Sequence, residues 1–215
     1  MENEAQAKPA ARPKPKGNGW TAAFYDWVRP WSEGKLMDRL RRDILAGATG
    51  RVIEIGIGTG ATLPFYRQAD KIVGVEPDPA WMERARKRAR ELGLDVELHQ
   101  GTAEALPFPD ASFDTAVSII VLCSVDDPKR ALAEIKRVLK PRGTLRFIEH
   151  VRADGRLAAQ VQDWLTPFYR RISTNCHLNR RTAEYVEAAG FEILEMQKER
   201  PDPLEPVIAG VARPK

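Results

Sequence analysis

Short apolar runs alternate along most of this chain with longer stretches in which apolar positions recur at helical spacing. The runs predict strands at residues 51–55, 71–75, 95–99, 113–119, 144–149, 191–198 and 207–213. Between them the spacing predicts helices over residues 60–69, 78–92, 128–139, 156–171 and 180–189. Strand and helix in alternation is the pattern of a parallel sheet covered on both faces. The last two strands follow the break at Ala189 and Gly190 and are joined through Arg200, Pro201, Asp202 and Pro203, too few residues for a parallel crossover. They should pair as an antiparallel hairpin. The expected fold is α/β: a doubly wound, mostly parallel sheet of seven strands with an antiparallel C-terminal hairpin.

Two apolar segments stand outside that alternation. Within residues 20–31, Trp20, Phe24, Trp27 and Trp31 fall at intervals of four, seven and eleven, one helical stripe with Tyr25 beside it. Within residues 157–171, Leu157, Val161, Trp164, Leu165, Phe168 and Tyr169 precede Arg170 and Arg171. The first stripe suits docking on the core, a lid that excludes water, or contact with a lipid surface. The second suits core packing, an apolar pocket wall, or an interfacial helix whose arginines meet phosphates. Segments 20–46 and 152–180 should therefore build the substrate side. Residues 1–19 are rich in Ala, Pro and Lys without apolar periodicity and should be a disordered tail ahead of a single domain over residues 20–215.

Composition narrows the function classes. A chain of 215 residues, 43% hydrophobic, can bury one full core. Of the formal charge of +4, Lys8, Arg12, Lys14 and Lys16 against Glu2 and Glu4 place +2 in the tail, leaving the rest of the chain at only +2. The basic run at residues 84–90 shares a helix with an inward stripe of Ala80, Trp81, Ala85 and Ala89, so it reads as a solvated face. These features argue against a nucleic-acid partner. No apolar stretch is long enough to span a membrane and the N-terminus lacks the apolar core of a signal peptide, so a cytoplasmic protein is expected, with peripheral membrane contact left open by the aromatic stripe. Two cysteines, Cys123 and Cys176, suit a reducing compartment.

The chemistry is concentrated where the first strand ends. Val52, Ile53, Glu54, Ile55, Gly56, Ile57, Gly58, Thr59 and Gly60 run a short strand into three glycines at alternate positions. Without a Cβ, a backbone can approach a ligand and adopt the positive φ of a tight strand-to-helix turn. The spacing is neither a dinucleotide fingerprint nor a P-loop. Downstream, the second strand ends in Glu76, followed by Pro77, near the spacing at which a carboxylate accepts both hydroxyls of a ribose. A third element, Gly101, Thr102, Ala103, Glu104, Ala105, Leu106 and Pro107, leads through Ser112 into the strand beginning Phe113 and Asp114.

Those three segments in that order resemble the class I S-adenosylmethionine-dependent methyltransferases, from about residue 36 to the C-terminus. The resemblance implies a Rossmann-like fold and S-adenosylmethionine as cofactor. It implies that residues 54–60, with Ile55 and Thr59 among them, wrap the methionine part, with Thr62 at the start of the next helix. Glu76 and Pro77 would hold the ribose, Thr102, Ala103 and Glu104 would lie along the adenine, and Ile119 and Ile120 would close the pocket beside the methyl donor.

Residues farther along are similar to the small thiol S-methyltransferases of the methyltransferase-like group: 121–125, 137–143, Ile148 through Val151, and Asn175, Cys176, His177, Leu178, Asn179 and Arg180. That resemblance implies a small lipophilic acceptor, with a thiol foremost. The animal members begin with a hydrophobic membrane-binding helix, which is replaced here by the polar tail and aromatic stripe, and Arg142 stands where many relatives have glycine. The glycine-rich and Ala103-Glu104 segments are shared with quinone C-methyltransferases and phosphatidylethanolamine N-methyltransferases, which remain alternatives. A base-amine methyltransferase would carry an Asn/Asp-Pro-Pro-aromatic sequence where this chain has Ile120, Val121, Leu122 and Cys123.

Methyl transfer from a sulfonium needs an in-line nucleophile, a dry pocket and at most one base. His150, His177 and Cys123 are the candidate catalytic residues, with Ser124 and Asn175 nearby, and Cys123 also reads as a small packing residue. His99 reads as structural. No His/Cys/Asp group has metal-ligand spacing along the sequence, so no metal is expected.

Overall fold

The computed structural model describes residues 34–172 and 175–215. The tail and the stripe at residues 20–31 lie outside the described residues. Seven strands form one sheet: β1 (Thr49–Ile55), β2 (Gln68–Glu76), β3 (Val96–Gln100), β4 (Phe113–Ile119), β5 (Leu139–His150), β6 (Phe191–Glu199) and β7 (Val207–Pro214). Their order is β3-β2-β1-β4-β5-β7-β6. Neighbours from β3 to β5 pair in parallel, and β7 runs antiparallel to both β5 and β6. This is the expected sheet with its C-terminal hairpin, β7 being inserted between β5 and β6. Val52, Ile53, Glu54 and Ile55 are all buried, as a central strand covered on both faces requires.

From β1 the chain builds outward to β2 and β3, then returns to place β4 on the other side of β1. A crevice opens at the carboxyl ends of strands where the winding reverses in this way. Two helices are delivered there by the same local chemistry. In α2 (Pro79–Leu92) Asp78 caps the N-terminus, accepting from the N–H groups of Ala80 and Trp81, with Pro79 supplying a preset φ in the first turn. In α3 (Pro128–Val138) Asp127 and Pro128 repeat the arrangement. Gly93, at φ 66°, ends α2 in the left-handed conformation that glycine adopts without strain.

The helix expected over residues 60–69 does not form. Pro64 offers no N–H, Gly60 sits at φ 76°, and Gln68 already belongs to β2, so only a 3-10 turn, Leu63–Phe65, remains. Conversely, α1 (Gly34–Leu45) is a helix that was not expected. Its Met37, Leu40 and Ile44 pack with Ile148, Val207, Ala209 and Val211 of β5 and β7. The described part of the segment expected as a substrate-side cap therefore covers the sheet.

The remaining helices are α4 (Arg156–Ile172) and α5 (Thr182–Ala188). In α4 the buried positions are Ala159, Gln162 and Thr166, while Leu157 and Trp164 are 78% and 79% exposed. Gln162 explains the orientation: its amide nitrogen, with two N–H groups to share, lies within hydrogen-bond reach of the carbonyls of Val151, Leu178 and Leu204, and its oxygen accepts from Ala153 N–H. A buried glutamine satisfying those loop groups outweighs the inward turn of an apolar stripe.

Candidate functional site

The turn after β1 is built from three glycines at positive φ, each with its own neighbour. A Cβ on Gly56 would lie 2.7 Å from Val121, and one on Gly58 would meet Trp81 at 3.4 Å. A Cβ on Gly60 would come within 2.8 Å of Leu63 and 3.2 Å of the Ala85 backbone. Gly56 therefore lets Val121 close on the turn, Gly58 leaves room beside Trp81, and Gly60 lets α2 pack against the turn. Beneath the turn, Glu54 is buried and accepts the hydroxyls of Thr62 at 2.6 Å and Tyr66 at 2.9 Å. Burial pushes its carboxyl up to about 7 against those two hydrogen bonds.

A cavity of about 470 Å³ opens at the carboxyl ends of the parallel strands. Ile55, Gly56 and Gly58 line it from β1, and Val75, Glu76, Pro77, Asp78 and Trp81 from β2 and α2. Gly101, Thr102, Ala103 and Glu104 follow β3, and Ile120, Val121, Ser124, Val125 and Asp126 follow β4. Glu76 accepts from the N–H groups of Gly58 and Asp78, both at 3.0 Å, and burial pushes its carboxyl up to about 7. Asp78 spends Oδ1 on the α2 cap, while its buried Oδ2 has no partner among the described residues. Two carboxylates with acceptor capacity stand beside a glycine backbone and an apolar wall. That set fits a cofactor with a hydroxyl pair at one end and a less polar chain at the other.

The opposite rim is residues 120–127, a loop with almost no regular structure that side chains hold on every side. Glu149, fully buried at the end of β5, accepts from the N–H groups of Val121, Leu122 and Cys123 and from the Ser118 hydroxyl. Buried Arg180 donates to the carbonyls of Leu122 and Val125. Asn175 donates to Ser124 O and to Asp126, and Glu104 accepts from the N–H groups of Asp126 and Asp127. Each buried loop group needs a partner, and these four side chains supply them. The loop also holds Ile120 at φ 56°, an uncommon conformation for a β-branched residue and one tolerated where surroundings over-determine it.

Of the cofactor residues expected from sequence, Ile55, Gly56, Gly58, Glu76, Pro77, Thr102, Ala103, Glu104 and Ile120 line this cavity. Glu54, Thr59, Gly60, Thr62 and Ile119 do not. Glu54 faces Thr62 and Tyr66, Thr59 is buried, Gly60 packs on Leu63, and Ile119 joins the hydrophobic core as the last residue of β4. Glu54 and Thr62 hold each other beneath the turn. Ser124, named beside the catalytic candidates, lines the cavity too, while Asp78, Trp81 and Asp126 line it unforeseen; an Asp-Pro helix start two residues after Glu76 is the signal that could have found Asp78.

The three catalytic candidates are off the cavity wall. Cys123 is fully buried, its Sγ 3.4 Å from that of Cys176, and the pairing with burial pushes its thiol well up. His150 turns Nδ1 toward Cys176 Sγ at 3.6 Å. His177 donates its backbone N–H to Cys123 O, and burial with Arg180 and Arg170 nearby lowers its imidazole to about 4, leaving a weak proton acceptor. Trp164 and Phe168 are not pocket walls either: both point to solvent. His99 is held by Glu97 at 2.6 Å and stacks edge-on to Phe108, the structural role expected of it.

A family profile described as a methyltransferase domain matches residues 53–147. The thiol S-methyltransferase TMT1B of Rattus norvegicus is 32% identical over 194 residues, covering 83% of this chain and 80% of that protein. The phosphatidylethanolamine N-methyltransferase of Cereibacter sphaeroides is 34% identical over 151 residues, covering 68% and 72%. Among solved structures, geranyl diphosphate methyltransferase in complex with SAM superposes with a TM-score of 0.71 at 18% identity, covering 94% of this chain and 93% of that one.

Proposed function

This chain belongs to the class I S-adenosylmethionine-dependent methyltransferases, and from that membership we propose that it methylates a small, lipophilic acceptor, a thiol foremost. The donor supplies an electrophilic methyl on a sulfonium. Glu76 and Asp78 would accept its ribose hydroxyls, the Thr102 to Glu104 stretch would take its adenine, and the backbone at Gly56 and Gly58 would take the methionine part. Ile120, Val121 and Val125 keep water from the reacting carbon. The acceptor sulfur, as thiolate after its proton has left to solvent, would form the new bond to the methyl carbon while the methyl–sulfonium bond breaks, its electron pair staying on the donor sulfur, which leaves as the neutral thioether of S-adenosylhomocysteine.

A thiol whose pKa lies near 8 to 9 needs little help to ionise, so positioning can carry the rate without a side-chain base in the cavity. The single observation behind the thiol assignment is the extent of the likeness to the thiol S-methyltransferases. At 83% of the chain it runs well beyond the common domain at residues 53–147. Labelled donor offered with alkyl thiols should give methylated sulfide, faster as pH approaches the acceptor's own pKa. Product from phosphatidylethanolamine or a quinol, with none from thiols, would overturn it.

One observation favours a second acceptor, a phospholipid amine. α4 exposes Leu157, Val161, Trp164 and Phe168 on one face, with Arg156, Arg170 and Arg171 exposed beside them. An apolar face with a cationic border suits a lipid surface. Phosphatidylethanolamine vesicles in the same assay distinguish the two.

A further inference from the structure

Three segments far apart in sequence bring Cys123, Cys176 and His150 to one point. Cys123 sits in the loop after β4, Cys176 in the segment after α4, and His150 ends β5. Cys176 Sγ is 3.4 Å from Cys123 Sγ and 3.6 Å from His150 Nδ1, and the three atoms all lie within 4.8 Å of one another. Both thiols are free and buried, packed with Leu178, Ile120 and Tyr169.

Tetrahedral zinc, with Zn–S of about 2.3 Å and Zn–N of about 2.0 Å, sets its ligands about 3.8 Å apart for two sulfurs and about 3.5 Å for sulfur and nitrogen. The Cys176 separations of 3.4 Å and 3.6 Å are close to both, and the third pair lies within 4.8 Å. A disulfide would account for the two sulfurs but not for the His150 Nδ1 directed at Cys176 Sγ beside them. Two thiols and an imidazole are also a soft donor set, unsuited to magnesium or calcium. We propose that Cys123, Cys176 and His150 form a binding site for a thiophilic divalent cation of the zinc class.

Binding replaces the two thiol protons, which leave to solvent, and forms two metal–sulfur bonds and one metal–nitrogen bond, with the fourth position open to water. The metal would tie the cavity-rim loop to the end of β5 and to residues 175–180, the same three segments that Glu149 and Arg180 already join. The site stands whatever the methyl acceptor is.

The test uses the full chain, reduced and stripped with chelator, titrated anaerobically with Co²⁺. One equivalent should bring a sulfur-to-cobalt charge-transfer band and visible bands of tetrahedral intensity, both displaced by Zn²⁺. Cys176→Ser should remove the charge-transfer intensity from its sulfur, and His150→Gln should weaken Zn²⁺ binding tenfold or more. Should Cys176→Ser fail to fold, the wild-type chain still decides: bound Zn²⁺ should shield two thiols from a thiol reagent. Absence of both the cobalt bands and the shielding would overturn the site, as would bands unchanged in Cys123→Ser and Cys176→Ser. A reduced chain that binds no metal but readily forms a Cys123–Cys176 disulfide would mark a redox pair instead.

Discussion

Glu76 Oε2 accepts the backbone N–H of Gly58 at 3.0 Å, fastening the glycine turn after β1 to the carboxyl end of β2. The same carboxylate faces the cavity, so it shapes the turn and offers acceptors to a ligand at once. Hydrogen bonds to a charged group are worth about 1.5–3 kcal/mol. Glu76→Ala should therefore weaken S-adenosylhomocysteine binding about ten- to a hundredfold by calorimetric titration. Unchanged affinity in a folded variant would remove Glu76 from the ribose site.

Burial also gives that carboxyl a pH signature. Its folded value of about 7 exceeds the ordinary 4.5, as does that of Glu54, so each favours the folded state below about pH 4.5 and loses that contribution as pH rises through 7. Cofactor binding has the opposite sign, because ribose hydroxyls donate to the carboxylate. Affinity should rise between pH 6 and 8, with proton release visible as a buffer-dependent binding enthalpy, and Glu76→Gln should flatten the profile. A wild-type affinity that falls over this interval would contradict the assignment.

The glycines divide the turn's two duties. Gly58 borders the cavity, and its Cβ would make only ordinary contacts, with Trp81 at 3.4 Å and the Gly56 carbonyl at 3.8 Å. Gly58→Val should cost about 1–2 kcal/mol for left-handed backbone while blocking the ligand. Gly60→Val carries the same backbone cost and adds overlap with Leu63 and Ala85, another 1–3 kcal/mol on the scale of overpacked cores, roughly. Urea titration should therefore rank Gly60→Val well below Gly58→Val. Equal midpoints would mean that the packing at Gly60 relaxes freely.

Local chemistry was legible where it is written in neighbouring residues. The Asp78-Pro79 and Asp127-Pro128 helix starts, the glycine turn, the strand ending in Glu76 and the C-terminal hairpin all announce themselves within a few positions. What escaped depends on long reach. Glu149 meets Cys123 across 26 positions and Arg180 meets Leu122 across 58, separations that no motif spacing encodes. The Cys123–Cys176 pair, 53 positions apart, escaped for the same reason. In α4 the periodicity predicted a helix but not which face turns inward, because three loop carbonyls recruit Gln162 from the polar side.

Glu149 has a stability role that can be measured apart from catalysis. Its two oxygens take four donors, and Cys123 N–H is the one on Oε2. In Glu149→Gln an amide can keep the three donors on one oxygen but must turn N–H toward Cys123. One buried donor left unpaired costs about 1–3 kcal/mol. Glu149→Ala orphans all four and should cost more. Urea midpoints decide it; a Glu149→Gln midpoint equal to wild type would show that the loop finds other partners.

The outward face of α4 gives the last expectation. Leu157 is 78% exposed, Trp164 79% and Phe168 63%, whereas a helix stabilised only by its own domain would turn such residues inward. If this face meets lipid, burying one large side chain contributes about 1.5–3 kcal/mol, and the exposed Arg156, Arg170 and Arg171 add an attraction that salt screens. The protein should co-sediment with anionic vesicles at low salt and release as salt rises. Trp164→Ala should lower the partition about tenfold while leaving S-adenosylhomocysteine binding unchanged, since Trp164 is off the cavity wall. No sedimentation at low salt would detach this face from lipid and, with it, remove the support for a phospholipid acceptor, leaving the small thiol alone.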